Sequence, residues 1–176
     1  MSSGNPEFGD SFRDQQLELR RRVDRAQDYD EIFELVKRVV DMDLHQHRAG
    51  LTLVLAPMQK TIGAFHPVAS NVIVLNKSLV SAFQKTTKDP REINAFVFMV
   101  LMHEYLHSLG YMEEGKVRRI SQRICANALG SDHLTVRLAV GNWLEMYPQL
   151  ASVPTPSSKD YEVVQKFDSS STSYIG

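Results

Sequence analysis

The chain reads as an α+β domain, rich in helix, with a small sheet of about three strands packed on one long helix and on an antiparallel helix that follows it. Three observations predict this. Apolar residues recur at helical spacing on both sides of the middle of the chain. Between them lie two short segments rich in β-branched residues and closed by turn residues. At 176 residues and 43% hydrophobic content, the sequence suits one ordinary core rather than two.

Residues 1–12 are rich in Gly, Ser and Pro and are expected to be disordered. From about Gln15 to His47, the residues Leu19, Val23, Ile32, Leu35, Val36, Val39 and Val40 fall at helical spacing among charges, with a break near Gln27-Asp28-Tyr29-Asp30. One or two amphipathic helices follow from that pattern. The strand candidates are Leu51-Thr52-Leu53-Val54-Leu55, closed by Pro57, and Asn71-Val72-Ile73-Val74-Leu75-Asn76. Ile62-Gly63-Ala64-Phe65-His66 is a weaker third. Helical pattern returns over residues 77–85, and Asp89-Pro90 then supplies an N-cap and a first-turn proline for a helix that stops at Gly110. Two more helices are expected, over about 113–129 and 133–146. The domain thus spans residues 13–150. Beyond it, Ala151 to Ser158 (ASVPTPSS) and the polar run DSSSTS make residues 151–176 a flexible tail, although the tail closes on apolar Tyr174-Ile175.

Composition excludes several classes of function. A formal net charge of −1 gives no global field for nucleic acid or an anionic membrane. The longest apolar run, residues 95–102, falls far short of the roughly twenty residues that cross a bilayer. A single cysteine, Cys125, cannot form an internal disulfide, and the first residues lack the pattern of a secretion signal, so the expected location is the cytoplasm.

The chemistry lies in MHEYLHSLGYMEEGKV, residues 102–117. His103 and His107 stand four apart on the predicted helix, so both can offer ring nitrogens to one zinc ion. Glu104 is rotated about 100° from that pair and suits a general base acting on water rather than a ligand. Ile93, Phe96, Val97, Val100 and Leu101 mark the same helix as buried, and two histidines and a glutamate on a buried face need the compensation that a metal supplies. Gly110 permits the left-handed turn that ends the helix, so the chain can fold back and bring a carboxylate of the next helix to the histidines. Glu113 and Glu114 both satisfy that geometry, and spacing does not choose between them.

HEYLHSLGYMEE resembles the active-site segment of the HExxH zinc metallopeptidases of the zincin clan, and the glutamates after the glycine make it more similar to the gluzincin branch. The resemblance covers about residues 15–147. It implies a hydrolase acting on peptide or protein substrates, with His103, His107 and Glu114 as zinc ligands and Glu104 as catalytic base. Glu113, Glu145 and His133 are the alternatives for the third ligand. The resemblance further implies that an extended peptide aligns along residues 71–76, with Asn71, Ile73 and Leu75 binding substrate. Small members of this kind are held latent by C-terminal segments, so the chain's own tail is a candidate inhibitor, as in a zymogen, with Asp168 or the terminal carboxylate near the metal. Tyr111, Tyr147 and Tyr174 are candidates to stabilise an oxyanion.

Two other readings compete. The segment RRISQRICANALGSDHLTVRLAV, with Lys116, Arg118, Arg119, Arg123 and Arg137, loosely imitates a helix-turn-helix DNA reader. The near-neutral total charge argues against nucleic acid as a partner. The third reading is a zincin-like module that binds metal or peptide without cutting.

Overall fold

One helix organises the molecule. The computed structural model describes residues 6–170. Along the chain run α1 (Pro6–Arg25), α2 (Tyr29–Leu44), β1 (Thr52–Ala56), β2 (Ala64–Phe65), β3 (Val72–Asn76), α3 (Lys77–Thr86), α4 (Pro90–Ser108), α5 (Glu114–Leu129), α6 (Leu134–Val140), α7 (Trp143–Met146), a 3-10 turn (Pro148–Ser152) and β4 (Glu162–Val163). The α+β class is as expected. From Asn94 to Leu106 of α4, every residue except His103 is buried, the mark of a helix enclosed on all sides rather than laid on a surface. It packs against α1, α2, α5 and α6, with β2 and β3 alongside.

Local chemistry fixes the ends of the elements that matter for the site. The Asp89 side chain accepts from the Arg91 backbone N–H at 3.0 Å and Pro90 opens α4, satisfying donors that a helix start leaves free. Asn94, buried on α4, donates to the carbonyls of Val23 and Ala26 at 2.9 and 3.0 Å and so ties down the end of α1. Asn76, fully buried at the β3–α3 junction, has two tasks. Its carbonyl accepts from the N–H groups of Ser78 and Leu79, while its amide donates to the carbonyls of Met58, Gln59 and Ile62. One side chain therefore caps a helix and holds the loop that carries β2.

The sheet has four strands in the order β2-β3-β1-β4, one more than expected. β1 and β3 are parallel, with Thr52 opposite Val72. β2 is antiparallel to β3 and β4 antiparallel to β1. The expectation that residues 71–76 form the rim strand is corrected here. β3 has hydrogen-bonded neighbours on both sides, and Ile73 and Leu75 are fully buried. Neither edge of β3 is open, so Asn71, Ile73 and Leu75 do not offer a peptide a strand to pair with. Among the described residues, the edge strands are β2 and β4, and β2 is the one that packs against α4.

Both termini also differ from the sequence reading. α1 begins at Pro6, so the later part of the segment expected to be disordered is helical. At the other end, residues 162–170 are bound to the domain. β4 completes the sheet, the Val164 N–H donates to the Leu53 carbonyl at 2.9 Å, and Phe167 stacks on Phe33 with ring centres 4.4 Å apart. Asp168 is buried, pairs with Lys37 and accepts from the Leu51 N–H at 2.9 Å. A polar composition hid these anchors, because the few apolar residues of the segment are the ones that dock. The expected contact of Tyr174-Ile175 lies outside the described residues. Among the described residues, no helix is long and apolar enough to cross a membrane.

Candidate metal centre

The turn after α4 builds the site. Gly110 takes φ +101°, a conformation that side chains disfavour. The Gly110 N–H then donates to the His107 carbonyl at 3.0 Å and the Tyr111 N–H to the Leu106 carbonyl at 3.2 Å. That pair of bonds is a Schellman motif. It reverses the chain within three residues and starts α5 at Glu114 beside the last turns of α4.

The same turn orients a histidine. His107 Nδ1 lies 2.7 Å from the Tyr111 carbonyl oxygen, which can only accept, so the proton of a neutral ring sits on Nδ1 and Nε2 presents its lone pair. Nε2 faces Glu114 Oε1 at 3.0 Å, and His103 Nε2 faces Glu114 Oε2 at 2.9 Å. One ligand atom from each of the three residues falls within 4.8 Å of the other two. Around a tetrahedral zinc with bonds of roughly 2.0–2.1 Å, such atoms stand about 3.3 Å apart, so small side-chain shifts complete the fit. Burial pushes the His103 pKa down by more than the Glu114 carboxylate lifts it. Partial burial acts to raise the Glu114 pKa, but the two imidazoles outweigh it and the net shift is downward. With its Nδ1 proton held by the Tyr111 carbonyl, a neutral His107 directs its Nε2 lone pair at a Glu114 oxygen, a conflict that a cation resolves.

Glu104 is placed differently. It is buried at 6% exposure, and burial, reinforced by the charge of Glu114, raises its pKa to about 8, with the backbone amide of His66 pulling the other way. A cation on the triad would offset the charge of Glu114 and favour the ionised form, leaving a carboxylate beside, but outside, the ligand set, where it can take a proton.

Two cavities flank the triad, and Ala64, Glu104 and Glu114 line both. The one of about 460 Å³ lies toward Arg48, Phe65 and His66; the other, of about 210 Å³, lies toward Met99, Arg118 and Trp143. The outer edge of β2 borders this cleft. Space at Gly63 is tight: a Cβ there would stand 2.9 Å from Val100 Cγ1 and 3.2 Å from the Trp143 ring, so those side chains would have to shift.

Of the residues expected at the site, His103, Glu104, His107 and Glu114 converge. Glu113 faces Arg119 instead, at 3.7 Å. Glu145 sits on α7 beside Asn142, and His133 caps α6 with contacts to Thr135 and Asp24. Neither joins the group. Tyr111 donates to Gln46 and Tyr147 packs on Phe83, so neither lines the cleft, and Tyr174 lies outside the described residues. Asp168, expected near the metal, is held by Lys37 and the Leu51 amide at the other end of the sheet order. Sequence reasoning missed three contributors to the cleft: the β2 edge, His66 and Arg48. Arg48 donates to the carbonyls of Ser108 and Ser70 at 2.9 and 2.7 Å, linking the end of α4 to the loop before β3. The only early signal was the weak strand 62–66.

Fold and geometry together define an α+β domain that brings a His-His-Glu group beside β2, an edge strand among the described residues. No family model, no curated protein and no solved structure matches the chain. Its function is therefore argued from the site.

Proposed function

We propose that this protein is a zinc-dependent peptidase of the HExxH kind, acting on extended peptide segments in the cytoplasm. The observation that carries the reading is the convergence of His103, His107 and Glu114, with Glu104 buried at the same cleft outside the ligand set. Those three groups would hold a zinc ion, which would supply Lewis acidity toward water and a carbonyl. Glu104 takes the proton of the attacking water and returns it to the leaving amine. The β2 edge offers backbone groups with which an extended peptide can pair as an added strand. The histidine proton on Nδ1, fixed by the Tyr111 carbonyl, keeps Nε2 of His107 directed at the ligand position.

Two alternatives have less behind them. A helix-turn-helix reader presents its second helix to DNA, whereas α6 is seven residues long, buries Thr135, Leu138 and Ala139, and packs on α4 and α5. A module that only binds metal does not need a buried carboxyl group beside, but outside, its ligand set. The test is cleavage of a generic peptide library by the zinc-loaded chain, read by mass spectrometry with and without a chelator. Chelator-sensitive cleavage supports the proposal. A zinc-loaded protein that cuts nothing in the library overturns it.

A further inference from the structure

The cavity of about 210 Å³ has an apolar floor of Met99, Val100, Leu138 and Trp143, and beyond it lies a shallower hollow of about 360 Å³. Thr61, Arg118, Gly141 and Trp143 line both, so the two form one trough leading away from the triad. Arg118 lies four residues after Glu114, which puts the two side chains on the same face of α5. Its charge reaches His103.

Among the described residues, Arg118 is the arginine of α5 without a counter-charge. On the same helix, Arg119 lies 3.7 Å from Glu113, Arg123 lies 2.6 Å from Asp43, and Lys116 sits over the Tyr111 ring. Among the described residues, Arg118 has no carboxylate partner. It is exposed, the outer hollow has no other charged lining residue, and the charged residues of the inner cavity besides it are His103, Glu104 and Glu114. A guanidinium that is the sole charge of the outer hollow, not engaged by the protein's own acids, is suited to paired hydrogen bonding with a carboxylate. A lysine side chain entering the same trough would instead meet a like charge.

We propose that this trough is a carboxylate-selective subsite, in which Arg118 pairs with an acidic group on the residue that a bound peptide inserts beside the triad. The inference rests on the peptidase reading for its position along the substrate. Two sources supply the chemistry, an aspartate or glutamate side chain and the α-carboxylate of a peptide's own end.

The experiment uses the zinc-loaded full chain and a peptide series varied only at the residue next to the scissile bond, as Glu, Leu or Lys, each made as free acid and as amide. The Glu peptide is expected to exceed the Lys peptide in kcat/KM by about tenfold or more, equivalent to about 1.4 kcal/mol. Arg118→Ala levels the ratio and Arg118→Glu reverses it. A preference that survives amidation identifies the side chain as the source, and one lost on amidation identifies the chain end. An unchanged Glu-to-Lys ratio in Arg118→Glu overturns the subsite and leaves the peptidase reading intact. The same peptides are titrated onto zinc-loaded Glu104→Gln protein, so that binding is read without turnover. A Glu-over-Lys affinity difference erased by Arg118→Ala supports the subsite even where nothing is cut, and equal affinities overturn it.

Discussion

Two buried carboxyl groups divide the molecule's labour. Asp168, at 3% exposure, ties the C-terminal segment to the domain through Lys37 and the Leu51 amide. Glu104, at 6% exposure, has no cationic side chain paired with it among the described residues, and its pKa rises to about 8. The first site answers the cost of burying a charge with a partner and the second does not. A fold tolerates an uncompensated acid where the acid's chemistry is used. The difference teaches that burial alone says little about a carboxylate; its partners separate structure from function.

The comparison can be broken most sharply at Glu104. Glu104→Gln is expected to lower peptide cleavage by about a thousandfold or more, while zinc content and melting temperature stay at the parent values or higher. Substantial cleavage by that variant would remove the proton-transfer role. The opposite profile is expected of Asp168→Ala, which leaves the Lys37 ammonium to Glu34 and the Leu51 N–H without its acceptor, and should cost roughly 1–3 kcal/mol of stability, measured by denaturant titration. Below its lowered melting point this variant should still bind one zinc. A loss of zinc with no loss of stability would put Asp168 in the wrong half of the comparison.

A smaller effect sharpens the structural half. Burial acts to lower the Lys37 pKa, but the hydrogen bonds of Asp168 and Glu34 more than reverse it, so the folded value lies above 10.5. A group whose folded pKa is raised contributes stability that is fully present below its unfolded pKa. That contribution is lost as pH rises through the folded value, so alkaline unfolding should steepen above about pH 10.5, and more weakly in Asp168→Asn. Identical alkaline profiles for the two proteins would show that the pair contributes nothing.

The legible and illegible parts of the sequence follow the same division. α4 was readable because Asp89-Pro90 and Gly110 bracket a continuous apolar run, and the spacing of His103, Glu104 and His107 fixes their faces. Spacing did not choose between Glu114 and Glu113, and only the resemblance favoured Glu114. The choice depends on how tightly the Schellman turn reverses the chain, and only hydrogen bonds such as that from Tyr111 to Leu106 decide it. β2 was legible only as the weak candidate over residues 62–66, because its two residues carry no periodicity. Strand order escaped because the flanking strand β4 is two residues of a polar segment, placed by Phe167 and Asp168 at a distance in sequence that no local pattern encodes.

The central claim is that one ion sits on His103, His107 and Glu114, and metal content measures it directly. After loading with zinc and exhaustive dialysis, elemental analysis should find one zinc per chain in the parent protein and in Glu113→Ala. His103→Ala and Glu114→Ala should each lose most of it, with affinity reduced by about a hundredfold or more, since removing a ligand costs at least what removing its supporting partner does. A parent protein that retains no zinc, or a His103→Ala variant that retains as much as the parent, would contradict the account.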